Sequence, residues 1–365
     1  MTDQELLDRY FLARILWWRQ NIIQLEEAAV MELVAALNEI KIEIGNRLEL
    51  TDWKKDTLEA LAAYCDDLIA AATIRTGETI AQAAVSAGAA SLTNWATMLS
   101  VGGAAANISF VEMSPAQIKS WFQDTPLGGH SLNEWVKKAF DEGVRKETLA
   151  SLRKSGLRGE GYRPMTKKLA QTALDNGCEL TERQAITIAR TYTQTANVEA
   201  QRAVYAQNRD VVYAQKWVSV LDNRVCPRCA ALDGVVYKNG EPMPQIPLHP
   251  RCRCLLLPCV RVDELGVSSE DLERVARPWT VREPGNIDAG GKRKILLHGS
   301  TKEDFGGWYH TLPEQERIRI VGPVRARLLA EGKIEFGELV DKKTGRLRTL
   351  EELGFSESGK PLKEN

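Results

Sequence analysis

Cys226-Pro-Arg-Cys229 is followed, after nineteen residues, by His249-Pro-Arg-Cys252-Arg-Cys254. A Cys-x-x-Cys turn puts two thiolates on one side of a tight loop, with backbone N–H groups free to stabilise the sulfurs. That arrangement is half of many structural zinc sites. His249 and Cys252 repeat the two-residue gap and supply the other half. Cys254, two residues further on, competes with Cys252 for the fourth place, so the candidate ligands are Cys226, Cys229, His249, Cys252 and Cys254. Four protein ligands close the coordination sphere and leave no position for a reactive water, which makes the expected zinc structural. Sites of this kind supply about 10 to 16 kcal/mol of apparent binding energy in small peptides, enough to pin a hairpin with little core of its own. Two bland alternatives are reduced, metal-free cysteines and disulfides in an extracellular particle.

The commonest catalytic patterns are missing. No histidine has a glutamate two residues later, as a zinc deaminase requires. His-Glu-x-x-His, Gly-x-Ser-x-Gly and the phosphate-binding Gly-x-x-x-x-Gly-Lys-Ser/Thr do not occur. His130, His298 and His310 stand without local partners and read as structural or surface residues. No catalytic residue is assigned and the chain is not expected to be an enzyme. Two rivals remain. Arg224, Arg228, Arg251 and Arg253 beside the ligands could touch phosphates, as in a nucleic-acid-binding zinc module. Asp222 and Asp233 could serve a metal-dependent hydrolase, which needs a vacancy at the metal.

The elements that must position the cluster come from the rest of the 365 residues, enough for two or three domains. With 48 basic and 49 acidic residues the formal charge is -1, so no global field draws the chain to nucleic acid or an anionic membrane. The start, MTDQELLDRYF, lacks the basic segment and short apolar stretch of a secretory signal, and synthesis and residence in the host cytoplasm are expected. From Thr79 to Val111 there is no charged side chain, yet Gln82, Asn94, Asn107 and several glycines make the stretch too polar for a membrane span. It reads as a helix whose small residues let neighbours approach.

Phe11, Ile15, Trp18, Ile22, Leu25, Ala29, Leu33, Leu37 and Ile40 recur in steps of three and four, predicting a helix over Glu5 to Ile44 that stops near Gly45. A second helical run covers Trp53 to Ile74. Thr181-Glu-Arg-Gln184 has the form of a capping box opening another helix, with Ala185, Ala189, Tyr192, Ala196, Ala200 and Ala203 on one face and Arg190, Thr191 and Asn197 on a polar one. The basic segment from Lys137 to Lys168 reads as a solvated face followed by a loop. Strands are predicted at Lys216 to Leu221, Val235 to Tyr237 and Cys254 to Cys259. Ala276 to Lys294 reads as an irregular linker. Glu314 to Glu331 is helical with a break at Gly322-Pro323, Leu350 to Leu353 forms a turn, and the last dozen residues look frayed. The fold class is therefore α+β: a helical N-terminal domain (1–125), a small α+β module with the metal knot (126–275), and a helical to irregular tail (276–365).

Taken together, Ala189-Arg-Thr191, Lys216-Trp-Val218, Asp222-Asn-Arg224, Cys226-x-x-Cys229, Leu232-Asp-Gly234 and Pro247-Leu-His-Pro-Arg-Cys-Arg-Cys254 resemble the phage Mu F-like head morphogenesis domain. The resemblance covers roughly Leu180 to Pro258. A weaker likeness to the C-terminal extension of such proteins lies in Phe305-x-x-Trp308, Leu312-Pro313, Gly322 and Leu339-Val340. The sequence departs from it at Tyr192, where the family often has a glutamate. The resemblance implies a low-copy structural protein inside the head of a tailed phage or prophage virion, acting in prohead assembly near the portal and in some members leaving with the DNA. Its implied partners are the portal and major capsid proteins, with possible contact to packaged DNA. On that reading the N-terminal helices dock on those partners through Trp17, Trp18, Trp53 and Trp95.

Overall fold

The computed structural model describes residues 2–50, 55–101, 108–123, 130–157, 174–220, 224–265, 267–270 and 305–362. Three long helices dominate: α1 (Asp3–Leu50), α2 (Lys55–Leu99) and α6 (Leu174–Gln207), with α3 (Pro115–Gln123), α4 (Leu132–Phe140) and α5 (Lys146–Leu157) between the second and third. Of the nine periodic positions on α1, all but Leu25 are buried, as the three-and-four spacing predicts. The helix does not stop at Gly45 but runs on to Leu50. A glycine inside a helix costs only about 1 kcal/mol against alanine, and no proline follows to enforce a stop. Trp53 lies outside the described residues. Among those described, no helix is long and apolar enough to cross a membrane.

The chain divides into two compact units. One gathers Ile22–Ala89 and Met113–Asn197, the other Met1–Asn21, Ala90–Glu112 and Val198–Asn365. The regular elements among the described residues of the first are all helices. Its α4 opens with a true capping box, in which Ser131 accepts from Glu134 N and Glu134 returns the bond to Ser131 N. The expected box at Thr181 is absent: Thr181 sits inside α6, fully buried, and helix α6 is already under way at Leu174. Its hydroxyl donates to Gly177 O (2.9 Å) and accepts from Val144 N (2.9 Å). Val144 lies in a π-helical turn, Asp141–Arg145, which joins α4 to α5. Gly143 and Gly177 make that crossing possible, since a Cβ on Gly143 would overlap the Thr181 hydroxyl and one on Gly177 would stand 2.7 Å from Val144 Cα.

The described part of the basic segment is balanced locally. Arg145 holds Asp66 through Nε (2.5 Å) and Asp141 through Nη1 (3.0 Å), and Lys137 pairs with Asp141. Residues 158–168 of that segment are outside the described range. The small-residue face of α6 is buried at Ala185, Ala189, Tyr192 and Ala196, as expected. The face read as polar is not a solvent face, because Thr191 is nearly and Asn197 fully buried.

The second unit holds a three-stranded antiparallel sheet in the order β2-β1-β3, built from β1 (Val212–Val218), β2 (Val236–Lys238) and β3 (Leu255–Val260). β2 and β3 each lie one residue along from the sequence expectation, while β1 starts four residues earlier and ends three earlier. Lys216 faces Val236 on one side and Leu257 on the other. The outer edge of β3 is finished by side-chain amides rather than by a fourth strand. Gln201, fully buried on α6, accepts from Leu256 N (3.2 Å) and donates to Leu256 O. Gln4 treats the end of the strand in the same way, donating to Val260 O (3.0 Å) and accepting from Val262 N (3.3 Å). Trp18 and Trp95 belong to this unit's core, at 9% and 0% exposure, and Trp18 Nε1 donates to Ser91 Oγ. Among the described members of that set only Trp17, at 37%, is exposed, so the docking face expected from these tryptophans is not formed by Trp18 or Trp95.

Helix α7 (Pro227–Leu232) lies between β1 and β2 and α8 (Val262–Leu265) follows β3; beyond residue 304 the chain adds α9 (Phe305–Thr311), α10 (Glu314–Val321) and α11 (Pro323–Ala330), with the break at Gly322-Pro323 as predicted, and a 3-10 turn at Phe336–Leu339. The linker expected at Ala276 to Lys294 lies outside the described residues. As far as Leu362 the final segment is bonded rather than frayed: Phe355 bridges to Pro361, Ser356 N donates to Lys360 O, and Leu362 N donates to Gly354 O.

Thr181→Val removes the only hydroxyl that meets Val144 N and should lower unfolding stability by about 1 to 3 kcal/mol, the cost of a buried unpaired N–H. Gly143→Ala should lose more, because backbone on both sides of the crossing must move. Urea denaturation followed by helical circular dichroism measures both, and a Thr181→Val protein as stable as the parent would refute this account of the crossing.

Candidate metal centre

Each half of the cluster is set by local backbone. Cys226 is the N-cap of α7 (Pro227–Leu232), extended at φ -83° and ψ 156°, and its Sγ accepts from Cys229 N at 3.4 Å. Pro227 takes the first helical position, where its missing N–H costs nothing. The second half turns on Arg251, which adopts φ 61°, and Cys252 N closes the turn on His249 O at 3.1 Å. A non-glycine residue in the left-handed region costs about 1 to 2 kcal/mol, a strain that something else in the fold must offset. Cys254 follows immediately and leads into β3.

The fold brings all five predicted residues together. The ligand atoms of Cys226, Cys229 and His249 lie within 4.8 Å of one another, and so do those of Cys229, Cys252 and Cys254. Cys229 is common to both groups. Its Sγ is 3.2 Å from His249 Nε2 and 3.8 Å from Cys252 Sγ. Tetrahedral zinc with sulfur at about 2.3 Å and nitrogen at about 2.0 Å requires neighbouring donors about 3.5 to 3.8 Å apart. The donor set suits such an ion; Cys229 and Cys252 stand at the spacing it needs, and Cys229 and His249 would move slightly apart to receive it. His249 Nδ1 lies 2.8 Å from Pro250 O, which as a donor contact leaves Nε2 as the ligand atom.

Charge is already partly arranged for a cation. The Cys226 thiol is pulled down to about 4, first by the hydrogen bond from Cys229 and then, against burial, by His249. Hydrogen bonds from Cys229 and Cys254 draw the Cys252 thiol well below its ordinary value. Hydrogen bonding to Cys226 and Cys252 holds the Cys229 proton in place, and burial pushes the Cys254 thiol up. His249 is pushed up to about 9, chiefly by its hydrogen bond to Cys226. In the metal-free cluster protons are thus favoured on His249, Cys229 and Cys254 and disfavoured on Cys226 and Cys252.

Of the other residues singled out in the sequence, Asp222 lies outside the described range. Asp233 has one carboxylate oxygen on Ser219 N (2.6 Å) and the other on Phe305 N (2.9 Å), so it ties α7 to β1 and to α9. Arg228, between the two ligands of the first turn, donates to Gly345 O at 2.6 Å. His130 packs edge-on to Trp135, and His310 edge-on to Tyr309. Sequence reasoning missed the contribution of residues 305–345 to the surroundings of the cluster, because nothing in local spacing marks a contact more than a hundred residues away.

Two measurements follow from these ionisation states. Metal ligands bind deprotonated, so zinc added to the full metal-free chain at pH 7 should release about two protons, one from His249 and one from Cys229. A pH indicator in weak buffer counts them, and uptake of zinc with no proton release would contradict the ionisation described. Burial also pushes the Asp233 carboxyl up to about 6 against its two backbone donors. Its folded value lies above the unfolded one, near 4, so its contribution to stability is complete below about pH 4 and is lost as pH rises through about 6. Asp233→Asn should flatten the urea stability profile between pH 4 and 6 while lowering it at pH 4, where the amide turns an N–H toward a backbone donor. A slope equal to that of the parent would mean that Asp233 does not titrate there.

Residues 146–257 match the family model described as Phage Mu protein F like protein. The matched stretch runs from α5 through α6, β1, α7 and β2 into β3 and encloses all five candidate ligands. No curated protein and no solved structure matches the chain. With α6, β1, β2, the start of β3 and the cysteine and histidine cluster inside that one match, residues 146–257 are similar to the Phage Mu protein F like family, which the motifs resemble.

Proposed function

We propose that this protein is a structural minor head protein of a tailed phage or prophage, acting in head morphogenesis, with a zinc ion that holds its small sheet in shape. The reading is carried by the family match over 146–257, which contains the whole cluster. In finer detail, the chain joins the prohead at or near the portal, contacts portal or major capsid subunits, resides inside the virion head and is a candidate for ejection with the DNA. The zinc ligands are Cys226, Cys229, His249 and Cys252. Cys254, a buried thiol whose proton is held by its surroundings, is the substitute for Cys252. Four such ligands leave no open position, so the ion's contribution is to folding and not to a reaction.

The three-part division at 125 and 275 is retained as a functional one: N-terminal helices for docking, the central module for rigidity, and the C-terminal extension. Exposed apolar side chains on α1, Trp17, Met31 and Ile42, are available to partner chains. The nucleic-acid reading is weaker than the sequence made it, because Arg228 is engaged by Gly345 O. The hydrolase reading is weaker too, since both oxygens of Asp233 accept from backbone N–H groups.

Quantitative mass spectrometry of purified proheads and DNA-filled particles from a producing strain, with zinc measured on the isolated chain, tests the assignment. Low-copy presence in particles and about one zinc per chain is the expected result. Absence from both kinds of particle would overturn the assembly reading.

A further inference from the structure

We infer that metal binding and docking of the C-terminal segment 305–362 are coupled, with Arg228 and Gly345 as positioning residues for the ligands. The inference rests on the metal reading of the cluster. Its ground is one short loop, Asp341 to Arg346, that touches both ligand-bearing stretches. The loop is rigid by its own bonds: Asp341 Oδ1 accepts from Lys343 N and Thr344 N at 2.9 Å each, Gly345 N donates to Asp341 O (2.8 Å), and Asp341 N donates to Arg346 O (2.9 Å). On one side it meets the first turn, where Arg228, flanked by Cys226 and Cys229, donates to Gly345 O at 2.6 Å. On the other it meets the approach to His249. Gly345 lies at φ +66°, and a Cβ there would stand 2.7 Å from Leu248 Cδ1 and 3.1 Å from Pro244 Cβ. Only a glycine permits both the backbone conformation and the close approach.

Two more bonds bind the same segment to the same module. Tyr237 OH on β2 donates to Lys342 O at 2.8 Å, and Phe305 N donates to Asp233. A tetrahedral ion requires Cys226 and Cys229 to stand at a fixed distance from His249 and Cys252, and the loop braces those two stretches from outside. An ion that prefers the braced arrangement must favour docking of the segment, and the docked segment must favour the ion by the same factor. The state of the metal is thereby transmitted to residues near the end of the chain, which offer a different surface when released.

The full chain is loaded with cobalt(II) and with zinc, and metal loss to a chelator is timed for the parent, Arg228→Ala, Arg228→Lys and Tyr237→Phe. Cleavage of 305–362 by a protease is compared with and without metal. Arg228→Ala should lose metal about tenfold faster, the lower end for residues that support ligands. Arg228→Lys, which keeps a donor, should return toward the parent rate, and Tyr237→Phe should move in the direction of Arg228→Ala. Removing the metal should expose 305–362 to cleavage in the parent. If Arg228→Ala fails to fold by circular dichroism, Tyr237→Phe decides, since its hydroxyl touches only the C-terminal loop. A parent that binds an ion, with variants at the parent rate and 305–362 equally protected without metal, overturns the coupling and leaves the metal site standing. A parent that takes up neither ion removes the metal reading and the coupling together.

Discussion

The thiol of Cys229 belongs to both donor groups, one with Cys226 and His249 and the other with Cys252 and Cys254, and the sheet-bearing unit is organised around that sharing. Its strands are short: β2 spans only Val236–Lys238, and a two-stranded ribbon of that length does not hold itself together in water. Nineteen residues separate the two halves of the cluster, with β2 between them. An ion held by both halves would close that loop and lower the entropy cost of holding β2 in place. The left-handed Arg251 carries a strain that is small beside what a structural ion bound at the cluster would supply.

A second constraint acts on the far side of the sheet. β3 is an edge strand, buried along nearly its whole length, so the backbone groups on its outer edge cannot be left to water. Gln201 and Gln4 each present both a donor and an acceptor to that edge and so imitate the strand that is not there. Asn208 repeats the device on Ser109, accepting from its N–H at 2.7 Å and donating to its carbonyl at 3.0 Å. A primary amide suits the task because it carries the same donor and acceptor pair as a peptide group. These bonds fix β3 to α6, and β3 in turn fixes the end of the chain segment that carries Cys252 and Cys254.

This distinction explains what could be read from the sequence. The cluster was legible because metal ligands keep a spacing that geometry dictates, whatever the surrounding fold. The α1 helix was legible because apolar residues at steps of three and four must share a face. The capping box at Thr181 was misread because a threonine followed by a glutamine three residues later has the same letters at a helix start and inside a helix. What separated the two was Val144, 37 residues away, whose N–H needed an acceptor. Thr191 and Asn197 are expected on a polar face because polar residues at helical spacing ordinarily face water, yet the packing around α6 buries both. Trp18 and Trp95 were taken for an exposed face, although bulky side chains at core positions of long helices gain most from burial.

The limits of the family match are not the limits of the physical module. The match ends at Leu257, yet the strand it cuts continues to Val260, where Gln4 completes the edge. Within the match, Asp233, Arg228 and Tyr237 find their partners at Phe305, Gly345 and Lys342, all beyond it. A chain ending at 257 would leave each of these polar groups to water or unpaired, at a cost of about 1 to 3 kcal/mol for any that stayed buried. The aromatic cluster of Phe305, Tyr309 and Phe336, with centroids 4.9 to 5.5 Å apart, gives the C-terminal segment a core of its own from which to supply those partners. The matched sequence therefore marks where the ligands are, while the forces that hold them extend from the first turn of α1 to the end of the chain's described residues.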